Sequence, residues 1–430
     1  MSETALDGPV TGAPGLPAHR DTNVLRWLAA FAFSMVGDSV FYLALSWAAV
    51  QAGTPTQAGL VMTASALPRA VLMLGGGVVA DRLGPRRVVI GSDAVRCVAV
   101  LTVAVLLFVT SPGLWPLALL ALVFGTVDAV FLPAVGALPA RVTSRDQLAR
   151  VQGMRGLAIR FASVVGGPLG GLGVAMGGAA AAFGLAGLLI AVSVPLLVSV
   201  RIRELPPDDA DDAANAEGAE NAVSAPKATA WADLVDGLRY IRHHRVLAPL
   251  MLAIALGDLG FVGPLNVGLT LLCDERGWGA AGMGWVLAGF GVGAGAASLL
   301  LTVRGRLPHA GQVAGWSILA GSVAIGALAH APTVALAVGT ALLIGLLTGL
   351  SGAMCAALLQ TQAAPAFLGR VTAVAGLVSL GLTPLSMPLS ATAIGTWGTG
   401  PVFTATATVC GLGGVLALAV PALRHADLPP

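Results

Sequence analysis

Long apolar runs separated by short polar turns make up most of the chain. A helix needs about 20 apolar residues to cross a bilayer, and runs of this kind recur from residue 24 to residue 422. We predict twelve spans, near residues 24–50, 57–80, 87–110, 114–137, 153–176, 179–200, 247–271, 280–303, 311–330, 333–357, 370–394 and 400–422. The pattern therefore predicts an all-α membrane protein with twelve transmembrane helices in two six-helix halves.

Polar segments mark the ends of these halves. We predict a disordered cytoplasmic tail at 1–22, an N-terminal six-helix bundle at 23–200, a cytoplasmic linker at 201–245, a C-terminal six-helix bundle at 246–423 and a cytoplasmic tail at 424–430. The linker between Pro206 and Lys227 is rich in Asp, Glu, Ala and Asn, and such a segment buries too little apolar surface to fold by itself. Residues 231–245 space apolar side chains three and four apart, which predicts an amphipathic helix on the membrane surface.

Composition excludes a soluble protein. Hydrophobic residues make up 56% of the chain and charged residues 10%, and the mean hydropathy is +0.87. A soluble globule of this composition would leave apolar surface in water, so membrane lipids are the expected surroundings. The net charge of +2 provides no basic face for nucleic acid.

The sequence contains no arrangement typical of an enzyme, a cofactor site or a metal site. There is no Ser-His-Asp constellation, and no phosphate-binding glycine loop ends in Lys, because the single lysine, Lys227, lies in the linker. The four cysteines lie in or beside apolar spans without metal-ligand spacing. We therefore expect neither an enzyme nor an ATP-driven pump, with no cofactor and no metal.

Arginines are distributed unevenly between the two sets of turns. Nearly all of them fall on the side that also holds both chain ends, whereas the opposite turns carry only Arg276. Positive charge is retained on the cytoplasmic side of a membrane. The sequence thus predicts a multi-pass protein of the inner (plasma) membrane with both termini in the cytoplasm.

A charged motif joins the second and third predicted spans. It reads Gly-Val-Val-Ala-Asp-Arg-Leu-Gly-Pro-Arg-Arg from Gly77 to Arg87. Its characteristic positions are Gly77, Asp81, Arg82, Gly84, Arg86 and Arg87. The Gly84-Pro85 pair predicts the turn itself, and the arginine pair marks a cytoplasmic loop.

This motif closely resembles the loop between helices two and three of major facilitator superfamily transporters, with Pro85 shifting the basic pair by one residue. The resemblance implies two six-helix halves related by a pseudo-two-fold axis along the membrane normal. It also implies a cytoplasmic gate, in which Asp81 meets the eleventh helix near Gly369 and Arg370. We add Asp93 and Arg96 to this gate because their spacing of three places them on one helix face.

Weaker similarities accompany the motif. Gly37-Asp38 and Gly257-Asp258 repeat at an offset of about 220 residues, as an internal repeat predicts. The stretches 131–141, 166–171 and 237–242 resemble the macrolide-efflux and enterobactin-exporter branch of the superfamily. That branch moves drugs or siderophores outward by using the proton gradient.

The fifth span resembles the glycine-proline pattern of exporters in this superfamily through Gly167, Pro168 and Gly171. Ser163 and Leu172 replace two glycines of that pattern. Glycine and proline kink a span and allow a neighbouring helix to approach closely, as a rocking interface requires. Plain helix packing is the alternative interpretation.

Four charged residues fall inside predicted spans, roughly 17–21 Å from the inner end of each. They are Asp38, Arg69, Asp128 and Asp258. An intramembrane charge costs about 2.5–3.5 kcal/mol unless it faces a cavity or a partner, so these residues predict a central polar layer. Asp38 is the first candidate for proton coupling, and a permanent Asp38–Arg69 structural pair is the alternative.

Aromatic and polar side chains surround this layer in the sequence. The candidates for the wall of a substrate cavity are Phe41, Tyr42, Phe124, Phe131, Phe261 and Asn266. Lipid contact or helix packing is the alternative for each aromatic ring.

These features predict a monomeric, proton-coupled exporter of amphiphilic, neutral or cationic small molecules that works by alternating access. Such a drug:proton antiporter would take part in multidrug efflux and antibiotic resistance. A dedicated exporter of one endogenous product, such as a siderophore or an antibiotic, is the alternative. An uptake symporter and a non-transporting membrane sensor are further alternatives.

Overall fold

The computed structural model describes residues 19–110, 113–143, 147–201, 230–304, 308–364 and 367–427, and these residues form helices without a β-strand. The helices are α1 (Thr22–Ala52), α2 (Pro55–Leu83), α3 (Pro85–Val109), α4 (Trp115–Val142), α5 (Leu148–Ser199), α6 (Ala230–His243), α7 (Leu247–Glu275), α8 (Gly279–Arg304), α9 (Ala310–Leu328), α10 (Val334–Gln362), α11 (Leu368–Trp397), α12 (Thr399–Ala419) and α13 (Pro421–Arg424). Most of the N-terminal tail and linker predicted from the sequence, residues 1–18 and 202–229, lie outside the described residues.

The described helices supply twelve segments long enough to cross a membrane. Ten helices meet this requirement by both length and hydropathy. One of them, α5, contains two arms, because Gly177 and Gly178 have non-helical backbone angles and the φ of Gly178 is +68°. These two glycines separate the predicted spans 153–176 and 179–200. With α2, a helix of 29 residues, the twelve predicted spans are present.

Local sequence signals determine where the helices begin and end. Thr54 accepts a hydrogen bond from the Gln57 amide and its own amide donates to the Gln57 side chain, which forms a capping box before α2. Gly84 ends α2 with a φ of +83°, a conformation that favours glycine. Pro85 then occupies the first turn of α3, where its missing N–H costs nothing.

Helix α7 changes its winding halfway along. The five residues Pro264–Gly268 form a π-helical turn between two α-helical segments. Proline has no N–H to donate to the preceding turn, and a single π-helical turn inside the helix accommodates this loss. This turn lies just beyond Phe261 and carries Asn266, two of the predicted cavity residues.

The two halves pack together through small residues. A Cβ atom on Gly284 of α8 would lie 2.4 Å from the carbonyl oxygen of Gly167 on α5, and one on Gly171 would lie 2.5 Å from the carbonyl oxygen of Ala280. On the other side of the molecule, a Cβ on Gly59 of α2 would lie 2.6 Å from the Ala391 side chain of α11. Glycine is required at such contacts because any side chain would push the helices apart.

The bundle has two distinguishable ends. We call the end with Arg82, Arg86 and Arg87 the arginine end and the opposite one the far end. Two hydrogen bonds join the halves near the far end, because α1 and α7 both run towards it. The hydroxyls of Ser46 and Thr270 lie 2.6 Å apart, and the Gln51 amide donates to Asp274 across 2.7 Å.

Helix α6 lies against the beginning of α11. The ring of Tyr240 stacks on Phe367 with centroids 4.4 Å apart. The backbone amide of Ala364 donates a hydrogen bond of 3.2 Å to the Tyr240 hydroxyl, and a Cβ on Gly237 would lie 3.0 Å from the Arg370 side chain. The amphipathic helix predicted in the linker is therefore present and is attached to the second half.

Candidate functional site

A buried arginine in the first half binds three carboxylates. Arg96 on α3 is 0% exposed. Its Nη1 donates to both carboxylate oxygens of Asp38, at 3.0 and 2.9 Å, and to Oδ1 of Asp128 at 3.2 Å. Its Nη2 donates to Oδ1 of Asp93. We call these four residues the Arg96 cluster, and three carboxylates around one guanidinium leave the cluster with excess negative charge unless protons bind to it.

Asp93 is the most fully satisfied of the three carboxylates. Besides Arg96, the hydroxyls of Ser34 and Ser193 donate hydrogen bonds to it. Asp38, in contrast, accepts hydrogen bonds from Arg96 alone among the described residues, and 15% of its side chain is exposed. Asp93 therefore has more hydrogen-bond donors around it than Asp38 has.

Aromatic rings enclose the guanidinium of Arg96. Its central carbon lies 3.9 Å from the centroid of Phe131 and 5.4 Å from that of Phe124. Phe124 in turn stacks on Phe41 with centroids 3.7 Å apart. These rings exclude water and favour a cation above their faces.

The structure corrects two expectations about charge pairing. The alternative prediction from the sequence is a structural pair of Asp38 with Arg69, but in the structure Asp38 pairs with Arg96. Asp93 and Arg96 lie within this buried cluster and not at a gate. Arg96 is roughly 17 Å along α3, which is too deep for a gate at the beginning of that helix. It reaches Asp38 and Asp128 because α3 directs its side chain towards α1 and α4, and the low dielectric there strongly favours opposite charges in contact.

A central cavity of about 350 Å³ lies between the two halves. Helices α1, α2 and α5 provide one side of it and α7, α8 and α11 the other. Arg69 is its only charged lining residue among those that the structure describes. The Nε atom of Arg69 is buried and has no hydrogen-bond partner in the described part of the chain.

Tyr42 connects this cavity with the Arg96 cluster. Its side chain lines the central cavity, and its hydroxyl donates a hydrogen bond of 2.9 Å to Oδ2 of Asp128. A ligand that contacts Tyr42 can thereby alter the hydrogen bonding of a carboxylate in the cluster.

A second cavity, of about 470 Å³, lies entirely within the second half. Asp258 on α7 is its only charged lining residue among those described, and the Ser379 hydroxyl donates a hydrogen bond of 2.5 Å to Oδ2 of Asp258. We call this space the C-half cavity. The predicted layer of four charges is thus divided among the Arg96 cluster, the central cavity and the C-half cavity.

The six predicted cavity residues are likewise divided among the central cavity, the C-half cavity and the buried interior of the first half. Tyr42 and Asn266 line the central cavity and Phe261 lines the C-half cavity. Phe41, Phe124 and Phe131 are buried in the first half, where Phe124 and Phe131 lie against Arg96 and Phe41 stacks on Phe124. Helix packing, the alternative interpretation, holds for these last three rings.

The two sequence motifs occupy different parts of the bundle. Gly167 and Gly171 lie at the contact with α8. The backbone of Pro168 lies there too, because a Cβ on Gly284 would be 3.2 Å from its Cα atom. In the charged motif, the side chain of Arg86 donates a hydrogen bond of 2.6 Å to the Val198 carbonyl, and Arg82 and Arg87 are exposed. The side chain of Asp81 and the surroundings of Gly77 lie outside the described residues, so the contact predicted between Asp81 and α11 stays a prediction.

Sequence reasoning missed several residues of these sites. Ser34 and Ser193 support Asp93, while Ser379, Thr348 and Ser351 contribute to the C-half cavity. Serine and threonine are common in transmembrane helices, so they give no signal by themselves. The depth of Arg96 was a usable signal, because an arginine roughly 17 Å inside a span requires a buried partner.

Comparison with known proteins agrees with this architecture. The family model described as Major Facilitator Superfamily matches residues 27–379. The enterobactin exporter EntS of Shigella boydii is 26% identical over 364 residues, which cover 83% of this chain and 80% of that protein. The same exporter from Escherichia coli O127:H6 is 26% identical over 360 residues, with the same shares covered.

Solved structures of transporters share the fold at low sequence identity. The POT family transporter PepTSo has a TM-score of 0.71 at 13% identity, and the alignment covers 97% of this chain and 100% of that one. The nucleoside transporter NupG has a TM-score of 0.66 at 14% identity, with 94% and 100% covered. The twelve crossing segments, the internal contacts between halves and the match over most of the chain lead to one conclusion: this chain is an integral membrane transporter that belongs to the major facilitator superfamily.

Proposed function

We propose that this protein exports amphiphilic small molecules, neutral or cationic, in exchange for protons, by alternating access. The observation that carries this proposal is the hydrogen bond between Tyr42 and Asp128, because it connects the buried Arg96 cluster with the central cavity. We further propose that the protein works as a monomer in the plasma membrane, with both termini and the arginine end in the cytoplasm. The uneven arginine distribution supports this orientation.

Proton binding follows from the competition for Arg96. Its Nη1 carries two hydrogens, whereas three acceptor oxygens of Asp38 and Asp128 lie within 3.2 Å of it. When one carboxylate takes up a proton, Arg96 can satisfy the other completely. A proton on Asp38 or Asp128 therefore removes both an excess charge and a shortage of donors.

Substrate binding influences the same balance through Tyr42. A ligand in the central cavity that accepts a hydrogen bond from the Tyr42 hydroxyl removes this donor from Asp128. Arg96 then moves towards Asp128. Asp38 loses part of its partner, and its affinity for a proton changes. Substrate and proton thus act on one set of hydrogen bonds, which is the requirement for exchange.

The rocking movement uses the glycine contacts between halves. Hydrogen bonds near the far end and the close approach of Gly167 to Gly284 keep the halves together there. Opening the far end breaks these contacts, and closing the arginine end forms other contacts between the halves there. The motif at Gly77–Arg87, with Asp81 directed to α11, is proposed as the gate at the arginine end.

The proposal is tested in proteoliposomes that contain a pH-sensitive dye. An outward movement of protons coupled to inward movement of a substrate, or the reverse, establishes exchange. Asp38→Asn should abolish this coupling and should leave expression and folding intact. Asp236→Asn is the matched control, because Asp236 is an exposed carboxylate on α6 that pairs only with Arg239 among the described residues. Normal exchange by the Asp38→Asn protein would contradict the coupling role.

A second candidate function is export of one acidic endogenous product, such as a siderophore. The presence of Arg69 as the charged residue of the central cavity favours it, and the similarity to enterobactin exporters is compatible with it. Transport of anionic but not cationic amphiphiles would select this candidate.

A further inference from the structure

The C-half cavity has no counterpart of Arg96. It is lined by α7, α9, α10, α11 and α12, and the internal repeat relates α7, α9 and α10 to α1, α3 and α4, the helices of the Arg96 cluster. At an offset of about 220 residues, Asp258 corresponds to Asp38. The residues of α9 that line the cavity are Ser317, Ile318, Gly321 and Ile325. None of them carries a charge, so α9 places no cation beside Asp258.

Helix α10 also lacks the charged and bulky side chains that its counterpart α4 contributes to the Arg96 cluster. At the same offset of about 220 residues, Thr348 and Ser351 of α10 correspond to Asp128 and Phe131 of α4. Both line the cavity. A second carboxylate and the ring beneath the guanidinium are thus replaced by small hydroxyl side chains, which enlarges the space in front of Asp258.

Asp258 lacks a cationic partner in the described part of the chain. None of the ion pairs between described residues includes it. Its only described hydrogen-bond partner is the Ser379 hydroxyl, which donates to Oδ2 and leaves Oδ1 free. A carboxylate at this depth, roughly 17 Å along α7, is tolerated where it faces a cavity, and it offers an unpaired negative charge to a cation that enters that cavity.

The walls of the cavity suit an apolar body attached to that cation. Ile254, Ile318 and Leu359 provide aliphatic surface, and Phe261 provides an aromatic ring on which a cation can lie. The volume of about 470 Å³ is within the range of small-molecule sites, roughly 300–1,000 Å³.

From these observations we propose that the C-half cavity binds an organic cation with an apolar body, whose positive group contacts Asp258 in the place that Arg96 occupies in the first half. The inference deepens the proposed function, on which it rests for the ligand's role as a substrate. The binding itself can be measured without transport.

Phe261 and Phe290 separate this cavity from the central one. Phe261 lines the C-half cavity, Phe290 lines the central cavity, and their ring centroids lie 6.0 Å apart. The two cavities therefore present opposite charges, Asp258 and Arg69, on either side of one aromatic pair. A cation in the C-half cavity avoids Arg69 by this arrangement.

The test uses three probes with the same triphenyl body: methyltriphenylphosphonium, neutral triphenylphosphine oxide and anionic triphenylacetate. Binding of each is measured to the full-length protein in lipid nanodiscs without a proton gradient. We expect the phosphonium to bind at least about tenfold more tightly than the other two, because a partly buried charge contact contributes this much or more. Asp258→Asn should remove this preference, whereas Asp236→Asn should retain it.

A second variant separates loss of charge from loss of folding. Ser351→Phe fills the cavity with the ring that Phe131 provides in the first half and leaves Asp258 unchanged. It should also remove phosphonium binding, whereas Ser199→Phe, the same change at an exposed serine of α5, should retain it. Gel filtration and melting temperature report folding. Equal binding of the three probes to the unsubstituted protein would overturn the proposal. Unchanged phosphonium binding by either Asp258→Asn or Ser351→Phe would do so as well.

The outcome is distinguishable from that of the proposed function. If the phosphonium binds at Asp258 but the protein moves no protons, this inference is supported and the proposed proton exchange is contradicted. If the protein exchanges protons but shows no charge preference in the nanodisc assay, the proposed function is supported and this inference is contradicted.

Discussion

Tyr42 and Asp128 are joined by a hydrogen bond of 2.9 Å in which the tyrosine hydroxyl donates to a carboxylate oxygen. Tyr42 faces the central cavity, while Asp128 shares Nη1 of Arg96 with Asp38. This single contact places the central cavity one hydrogen bond away from the buried charges. It gives the proposed exchange a defined route.

Tyr42→Phe should uncouple substrate movement from proton movement. A hydrogen bond to a charged group contributes about 1.5–3 kcal/mol, so we expect substrate-driven proton flux to fall roughly tenfold or more. Substrate binding should change much less, because the ring is retained. Proton flux in proteoliposomes and binding in nanodiscs measure the two effects.

The chain contains one other tyrosine, Tyr240, and it supplies a matched control. Tyr240 lies on α6, far from the Arg96 cluster in the sequence. Its hydroxyl accepts a hydrogen bond from the Ala364 amide. Tyr240→Phe should leave the coupling ratio unchanged. Equal losses in both variants would mean that the Tyr42 hydroxyl has no specific role.

Arg96→Gln should strongly destabilise the protein. It leaves three carboxylates without their common cation, and breaking a buried ion pair costs about 3–5 kcal/mol. Arg239→Gln makes the same change in an exposed Asp–Arg pair with the same spacing, at an N–O distance of 3.7 Å, and should cost less than about 1 kcal/mol. Melting temperature and unfolding by detergent compare the two variants.

Charge removal should partly rescue the Arg96→Gln protein. Asp93→Asn added to it eliminates one of the uncompensated carboxylates, so the double variant should be more stable than Arg96→Gln alone. Strictly additive destabilisation would show that charge is not the cause.

Gly284→Ala should weaken the closure of the far end. Its Cβ would lie 2.4 Å from the Gly167 carbonyl oxygen, a backbone atom that cannot move aside without shifting α5. Gly295→Ala on the same helix is the control, because no atom lies within 4 Å of its added Cβ. We expect a water-soluble maleimide to label a Ser46→Cys reporter several-fold faster in the Gly284→Ala background only, since wider separation exposes the α1–α7 contact. The chain without the reporter gives the background, and equal labelling in both backgrounds would contradict the role of this contact.

Arg69→Gln should distinguish the two candidate functions. If the substrate is an acidic product, removal of the cavity's charged residue should lower its affinity by about tenfold or more. If the substrate is neutral or cationic, its affinity should remain the same or increase. Arg239→Gln, an exposed arginine on α6, controls for net charge, and binding of anionic and cationic amphiphiles gives the measurement.

Much of the architecture follows from local sequence signals. Apolar length predicts the twelve crossing segments, Gly177 and Gly178 divide α5 between two predicted spans, and Gly84 with Pro85 forms the predicted turn. These features depend on neighbouring residues only: helix length follows from bilayer thickness, and a glycine with positive φ ends a helix in any surroundings.

The partners of the buried charges depend on the packing of separate helices. Arg69 and Arg96 lie at similar depths in their spans, so the sequence alone supports either as the partner of Asp38. Which one faces Asp38 is determined by the rotation of α3 and its position beside α1 and α4, and that arrangement directs Arg96 into the cluster and Arg69 into the central cavity. In the same way, only the packed second half shows that Asp258 faces an open cavity. Distance between helices and direction around each helix axis are tertiary quantities, and electrostatic energy depends on both.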